Sequence, residues 1–416
     1  MNIPLAGVAA RRAKIATGHL LAPSARCGTA GGVAKALIAL HGTDPSSVFL
    51  AIQARTTSVD SAMIERALYE DRTLVRMLGM RRTMFVVPAD LVPVIQAACT
   101  DQVAERMRAD MARRLEQSGV AANGARWLAE TGEATVAALA SRGAATGAEL
   151  TQNVPRLREQ IVVSPGKSYG GPVSVSSRVL MLLSAEGRIV RGRPRGGWTS
   201  SQYQWHLASA WLPGRAGPAS ASASASASAS ASAPATQAAR AELARRWLRA
   251  FGPAGPADLQ WWTGWTAGQV KATLRQLPVT EVDLDGSPGI MLAGEELPQT
   301  HQEAWPALLP ALDSTAMGWR GRTWYAADQT AALFDRSGNI GPSVWWNGRI
   351  VGGWAQRRDG EIVFRLFEDI GAEAIAAVAA AAERLAGWLG TTRVVPRFRT
   401  PLERELAGAA GAIARP

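Results

Sequence analysis

The stretch SVSSRVLMLLSAEGRIVRGRPRGGWTSSQYQWH, residues 174–206, decides the fold. An apolar pattern of helical spacing opens it and ends at Gly187, and two short strands are predicted next, at 188–191 and 197–199, around a Gly/Pro-rich tip at 192–196. The candidate N-cap serines and the apolar members of the helix are Ser176, Ser177, Val179, Leu180, Leu182 and Leu183. A helix followed at once by a cationic hairpin is the order of a winged-helix module. A solvated basic hairpin in another α/β domain is the alternative.

Arginines dominate the charge of this stretch, where Glu186 is the single acid. A helix of this kind enters the major groove of DNA, while a basic hairpin lies on the backbone or in the minor groove. We therefore predict that arginines of this stretch, and two from an earlier basic turn, bind DNA. They are Arg178, Arg188, Arg191, Arg193, Arg195, Arg81 and Arg82.

Length and charge narrow the class of protein. A chain of 416 residues is too long for one small core, so two to four domains are expected. The net charge of +11 makes nucleic acid, DNA or RNA, the simplest polyanionic partner, and the winged-helix pattern favours double-stranded DNA. A GC-rich genome, which favours Arg over Lys, is the alternative explanation of that charge.

Cysteine and histidine usage argues against a metal or other cofactor. Cys27 and Cys99 are too few for a disulfide framework or a zinc site, and the four histidines have no metal-ligand spacing. No apolar run of transmembrane length occurs, and the first residues lack the order of a signal peptide. We expect a cytoplasmic, nucleoid-associated protein without membrane contact, and a monomer, because no heptad seam is present.

The order of helix and hairpin recurs along the chain, which predicts an α+β fold of three tandem winged-helix modules. A basic turn joins two strands at 74–78 and 83–87, and Asp285-Gly286 joins the strands of an acidic third hairpin, which should face away from nucleic acid. The predicted domains are 1–123 (first module with a basic arm), 124–216 (second module), 217–235 (Ala/Ser linker), 236–307 (third module) and 308–416 (a β-rich domain closed by a helix at 371–389).

Four regions carry weaker patterns. Residues 1–29 show no clear element, and the Gly/Ser/Pro-rich 164–173 is predicted as a loop. Trp324-Tyr325 is predicted as a strand and 393–405 as a short extended tail. Gly166-Lys167-Ser168 looks like the end of a phosphate loop, but the upstream glycine spacing and the strand are missing.

Five segments together resemble one family, that of the tandem winged-helix azinomycin-resistance and interstrand cross-link DNA glycosylases. They are LVRMLGMRRTMFVVP (74–88), EGRIVRGRPRGGW (186–198), QWWTGWT (260–266), LLPALDSTAMGW (308–319) and VWWNGRIVGGW (344–354). The resemblance covers nearly the whole chain. It implies a C-shaped basic channel of three winged helices and a DNA glycosylase activity.

The resemblance also implies a catalytic site just after the first helix, where the family carries Gln-x-Gln or Gln-x-Asp. The matching residues here are His41-Gly42-Thr43, followed by Asp44, so neither glutamine is present. A neutral His41 is able to accept a hydrogen bond from the attacking water, Thr43 to orient it, and Asp44 to stabilise positive charge on the sugar. Helix capping by Asp44 before Pro45 is the alternative role of that carboxylate.

Two functions follow. The first is a monofunctional DNA glycosylase that excises bulky or cross-linked N7-alkylpurines, in DNA repair or antibiotic self-resistance; no lysine lies near the motif on its C-terminal side to attack C1′. The second is a non-catalytic winged-helix DNA-binding protein or transcriptional regulator, and a protein-interaction role is a third. Three tandem modules favour the first, because many regulators dimerise around one module per subunit. The missing glutamines favour the second, so enzyme activity is left open.

Overall fold

A computed structural model of the chain describes residues 3–163, 171–213, 233–298 and 303–408. The described residues group into two compact units. Unit 1 combines Met1–Ala67 with Ala244–Pro416, and unit 2 is Leu68–Leu243.

Helices account for much of both units. A π-helical turn, Gln96–Thr100, joins the fifth helix to the sixth. In chain order the α-helices of the described residues are α1 (Val8–Gly18), α2 (Ala30–Ala36), α3 (Pro45–Gln53), α4 (Ser61–Tyr69), α5 (Val92–Ile95), α6 (Asp101–Gln117), α7 (Gly124–Arg142), α8 (Gly147–Asn153), α9 (Ser176–Ala185), α10 (Ala208–Trp211), α11 (Ala233–Phe251), α12 (Pro256–Thr263), α13 (Ala267–Leu274), α14 (Ala372–Leu389) and α15 (Pro401–Gly408).

The strands are short and form several small antiparallel sheets, so the α+β class predicted from the sequence is confirmed. In chain order they are β1 (Leu40–His41), β2 (Leu74–Leu78), β3 (Met84–Pro88), β4 (Ala145–Thr146), β5 (Gln160–Val163), β6 (Gly171–Ser174), β7 (Ile189–Pro194), β8 (Tyr203–Leu207), β9 (Val279–Asp283), β10 (Pro288–Leu292), β11 (Pro306–Leu309), β12 (Ser343–Trp346), β13 (Arg349–Gln356) and β14 (Ile362–Leu366). In unit 2, β2 pairs with β3, β5 with β6, and β8 lies between β4 and β7. In unit 1, β9 pairs with β10, and β11 to β14 form a four-stranded sheet in sequence order.

The four-stranded sheet carries much of the unit 1 core, with α14 and α15 packed against it. Trp345 is fully buried and donates its Nε1–H to Ser343 Oγ at 2.9 Å, and Trp354 donates to Leu309 O at 2.9 Å. The pair Asn347-Gly348, a residue combination that favours tight hairpins, joins β12 to β13, with φ of +49° and +80°. Both values lie in the left-handed region that a tight hairpin requires.

The unit 2 core is formed mainly by α6, α7 and α9, and it confirms the helix predicted at the start of the 174–206 stretch. Val179, Leu180, Leu182 and Leu183 are all buried in it. The capping prediction is wrong, because Val175 occupies the N-cap position, and the first helical N–H, that of Ser176, donates to Ser174 Oγ at 3.3 Å. Ser176 instead contacts the Thr151 hydroxyl at 2.8 Å.

The hairpin after α9 is longer than predicted. Its second strand is β8, at Tyr203–Leu207, and the predicted strand at 197–199 is wrong. Gly196 and Gly197 have φ of +83° and +89°, so the chain turns where the sequence suggested that it extends. The hairpin at 74–87 with its basic turn is confirmed as β2 and β3.

Three other local predictions are corrected in unit 1. Residues 1–29 contain α1, a helix that was not predicted. Trp324-Tyr325 is a turn rather than a strand, and Tyr325 donates its backbone N–H to Arg322 O at 3.1 Å. The extended tail predicted at 393–405 contains α15 from Pro401.

Two predictions fall partly or wholly outside the described residues. Of the predicted loop at 164–173, the described part belongs to β6, and Gly166-Lys167-Ser168 lies outside. Of the predicted linker at 217–235, residues 217–232 lie outside, while Ala233 begins α11.

Candidate functional site

The aspartate of the His41–Asp44 motif caps α3, as the Asp-Pro sequence predicted. Its Oδ1 accepts hydrogen bonds from the Ser46 backbone N–H at 3.0 Å and from the Ser46 hydroxyl at 2.7 Å. Its Oδ2 accepts a third, from the backbone N–H of Arg397 at 2.9 Å. Asp44 is only 3 % exposed, so these protein donors take the place of water around the carboxylate.

The rest of the motif forms the turn between β1 and α3. His41 ends β1 and is 8 % exposed, Gly42 is buried, and Thr43 is partly exposed. Thr43 is therefore the motif side chain that a molecule on the surface reaches most easily, while His41 and Asp44 lie beneath it.

A loop that follows β11 holds the backbone on both sides of the motif. Ser314 donates its hydroxyl to Ala39 O at 2.8 Å, before the motif, and Ser47 donates its hydroxyl to Ala311 O at 2.7 Å, after it. The loop belongs to the LLPALDSTAMGW segment that the family resemblance had singled out. The sequence indicated that this segment is typical of the family, but it did not show that the segment holds the backbone of the motif.

A buried ion pair anchors the same loop to the end of α3. Arg55 binds Asp313 with both outer nitrogens, at 2.9 and 2.7 Å, and both side chains are fully buried. The guanidinium also donates to His19 O, Ala51 O and the Thr315 hydroxyl, at 3.0, 2.8 and 2.8 Å. Because a buried pair is stable only when its remaining donors are satisfied, these bonds make the junction specific to one arrangement.

His19 completes this network, and no feature of the sequence predicted it. Its Nδ1 lies 2.8 Å from the Thr315 hydroxyl and its Nε2 lies 3.0 Å from Ala250 O. Since a carbonyl only accepts, Nε2 carries the proton and Nδ1 accepts from Thr315. Burial, with a smaller contribution from the nearby Arg55 charge, lowers the pKa of His19 to about 3. The imidazole is therefore neutral at physiological pH.

Asp44 lines a small cavity. Its volume is about 10 Å³, and its lining includes Ser47, Leu50, Trp354 and Gln356. That space holds about one water molecule, not a nucleobase. Any base that reaches this motif therefore lies outside this cavity.

Most arginines of the 188–195 hairpin are paired with acids from distant parts of unit 2. Arg191 lies over the rings of Tyr203 and Trp205, at 5.2 and 5.1 Å from their centroids. The ion pairs are Arg188–Glu133 at 2.9 Å, Arg193–Glu70 at 3.0 Å and Arg195–Glu149 at 2.8 Å. The acid of the stretch itself, Glu186, pairs with Arg108.

A second group of basic residues makes fewer ion pairs. We call Arg82, Arg113, Arg114 and Arg178 the arginine cluster. Arg114 binds Asp110 at 2.7 Å and, with smaller effects of Arg113 and Arg82, lowers the pKa of that carboxyl. Burial, and then the charges of Arg114 and Arg82, lower the pKa of Arg178. Within the part of unit 2 that the structure describes, the side chains of Arg82, Arg113 and Arg178 make no hydrogen bond or ion pair. Four positive charges thus surround one carboxylate.

Arg81, the remaining predicted DNA-binding residue, precedes Arg82 in the turn between β2 and β3. Both residues are exposed and have positive φ, of +52° and +59°. The turn therefore projects two adjacent guanidinium groups from the hairpin.

The described ranges contain no group of three His, Cys, Asp or Glu side chains that could hold a metal ion. Among the helices that can be described, none has the length and apolar character needed to span a bilayer.

A strongly basic chain that carries an arginine cluster is typical of a protein that acts on nucleic acid. The family model described as DNA glycosylase AlkZ-like matches residues 34–388. The chain therefore belongs to the AlkZ-like DNA glycosylase family, and it is a DNA-repair glycosylase.

The fold agrees with a solved member of that family. The Streptomyces sahachiroi DNA glycosylase AlkZ superposes with a TM-score of 0.68 at 20 % sequence identity, over 91 % of this chain and 96 % of that one. At this identity the match shows a shared fold. A search of curated proteins gave no match.

Proposed function

We propose that this glycosylase excises N7-alkylated purines, including bulky or cross-linked adducts, and leaves an abasic site. One observation carries the choice of lesion: both ionisable side chains of the motif, His41 and Asp44, are buried. A normal purine leaves slowly unless an acid protonates it. An N7-alkylated purine already carries positive charge, so a site whose ionisable groups lie beneath the surface suffices for it.

The motif residues take separate roles in this mechanism. Thr43, the accessible one, binds and orients the attacking water, and the imidazole of His41 accepts a hydrogen bond at the base of the site. Asp44 acts from behind: its carboxylate offsets the positive end of α3 and favours positive charge on the sugar. The bonds from Ser46, and from Arg397 on the opposite side, hold it in that orientation.

DNA binding is assigned to the arginine cluster and the adjoining Arg81. An arginine that is already paired must exchange one anion for another, which reduces the net gain from a phosphate. Among the described residues, three of the four arginines of the cluster have no acid partner to give up. Arg188, Arg193 and Arg195 are therefore weaker contributors than the sequence alone predicted.

We also propose that residues 1–123, 124–216 and 236–307 form three winged-helix modules. The support for these modules is the order of elements, because a helix precedes a two-stranded antiparallel hairpin each time. The three sets are α4 with β2–β3, α9 with β7–β8, and α13 with β9–β10.

The test is base release from duplex DNA methylated at guanine N7, measured by chromatography of the free base. The expected products are N7-methylguanine and abasic DNA, with no protein–DNA adduct after borohydride treatment. Thr43→Ala should slow release while binding to unmodified duplex stays the same. Strong duplex binding by the wild-type protein without release of any alkylated purine would overturn the proposal.

A further inference from the structure

The segment 394–400 forms one side of the motif and is fixed at both ends. The backbone N–H of Val394 donates to Gln356 Oε1 at 2.8 Å, and Gln356 Nε2 donates to Thr392 O at 3.2 Å. At the other end Thr400 is fully buried. Pro396 restricts both its own φ and the conformation of Val395, so the chain between the anchors is stiff.

Arg397 lies in this segment. Its backbone contacts the motif, and its side chain is exposed to solvent. Its backbone N–H donates a hydrogen bond to Asp44 Oδ2 at 2.9 Å, and the residue is exposed. Within the described residues its guanidinium makes no hydrogen bond or ion pair. The neighbouring arginines differ: Arg393 donates to Asp359 O at 2.7 Å, and Arg399 pairs with Glu403 at 2.6 Å.

We propose that Arg397 binds a DNA phosphate next to the damaged nucleotide and so seats the glycosidic bond against the His41–Asp44 turn. This inference rests on the proposed function. A guanidinium matches the two oxygens of a phosphate and binds them with paired hydrogen bonds. Because its backbone is already fixed at Asp44, only the side chain has to lose conformational freedom when the contact forms.

The charge of Arg397 gives the contact a second consequence. A lone cation beside the site opposes the positive charge that develops on the sugar during cleavage. A phosphate bound to Arg397 neutralises that cation, so the pair no longer opposes positive charge on the sugar. Productive geometry and favourable electrostatics then arise together, when the damaged strand is in place.

The experiment compares Arg397→Ala with Arg404→Ala. Arg404 is a matched control, because it is an exposed arginine on α15 whose side chain makes no hydrogen bond or ion pair among the described residues. The probes are a duplex with one N7-methylguanine, for single-turnover release, and a duplex with one tetrahydrofuran abasic analogue, for binding at several salt concentrations. Thermal melts check the fold, which Arg397→Ala should leave intact because the backbone N–H to Asp44 remains.

Arg397→Ala should weaken binding to the abasic duplex about tenfold and reduce the slope of log K against log salt by about 1. Arg397→Lys should restore the slope and only part of the affinity, because lysine keeps the charge without the paired hydrogen bonds. Arg404→Ala should stay within about twofold of wild type on the same scale.

Three outcomes divide the possibilities. If wild type releases the base and both alanine variants bind with wild-type affinity and slope, Arg397 does not bind phosphate. A slower rate for Arg397→Ala with unchanged binding and slope also overturns the phosphate contact. If wild type releases nothing but Arg397→Ala still loses affinity and slope, the contact stands and the proposed function fails.

Discussion

Asp44→Asn tests whether the second oxygen of this carboxylate matters. Asparagine caps helices nearly as well as aspartate, so the sequence alone predicts that the variant folds normally. In the structure Oδ1 serves Ser46, and Oδ2 accepts from the Arg397 N–H. The amide nitrogen of asparagine would therefore face another donor at Arg397. Turning the amide over moves the same conflict to the Ser46 N–H.

The expected decrease in the free energy of unfolding follows from the loss of that one hydrogen bond. A hydrogen bond to a charged acceptor contributes about 1.5–3 kcal/mol, and leaving a buried donor unpaired costs about 1–3 kcal/mol. These are two views of the same loss, so we expect Asp44→Asn to lower the free energy of unfolding by about 2 kcal/mol. The apparent melting temperature should fall by several degrees. Base release should also slow, by roughly 10²-fold or more, because an electrostatic contact close to the sugar is removed.

The assay is urea and thermal unfolding, with Asp60→Asn as the matched control. Asp60 is exposed, and its Oδ1 accepts from Met63 N at 2.8 Å at the start of α4. Its replacement keeps that cap, so stability should change by only a few tenths of a kcal/mol. Equal stability of the two variants would refute the role assigned to the Arg397 bond.

Arg178→Ala should weaken duplex binding and reduce the salt slope by about 1, whereas Arg195→Ala, which removes a paired arginine, should change the slope little. Fluorescence anisotropy at several salt concentrations measures both, and equal slopes would contradict the arginine cluster as the main contact. His41→Ala should slow base release in single-turnover assays with DNA affinity nearly unchanged; a variant with the wild-type rate places the chemistry elsewhere. The pKa of His19, about 3 when folded and 6.5 ordinarily, means that only the unfolded chain binds a proton between these values. Stability therefore falls as the pH drops from about 6.5 towards 3, by up to about 1.4 kcal/mol per pH unit from this group. His19→Gln should remove that part of the slope in urea titrations at pH 6 and pH 5, and an unchanged slope would argue against it.

Elements whose signals lie within a few residues were predictable from the sequence. Asp44-Pro45 marked the start of α3, and Asn347-Gly348 marked the turn between β12 and β13. The apolar spacing at 179–183 identified the buried face of α9. In each case the decisive interaction is a backbone conformation or a bond to a neighbour in the chain, so local residue types suffice.

The state of the arginines was decided by the tertiary structure. Arg193 meets Glu70 from 123 positions away, so a window of sequence around the hairpin could not show that its charge is paired. Arg178 lies in the same stretch, but the charged α6 side chains near it are Arg114 and Asp110, and Asp110 is already paired with Arg114. Arg178 therefore remains available to bind another anion. Charge counts within a segment cannot distinguish these cases, since an ion pair depends on distance in space.

The candidate site shows the same division. The sequence placed His41, Thr43 and Asp44 together and indicated a helix cap. The tertiary structure supplied the Arg397 bond, from 353 positions away. It also buried His41 and left Thr43 as the accessible side chain. The local chain determined which chemical groups are present, and long-range packing determined which of them meet solvent, because burial and hydrogen-bond partners depend on segments that are distant in sequence.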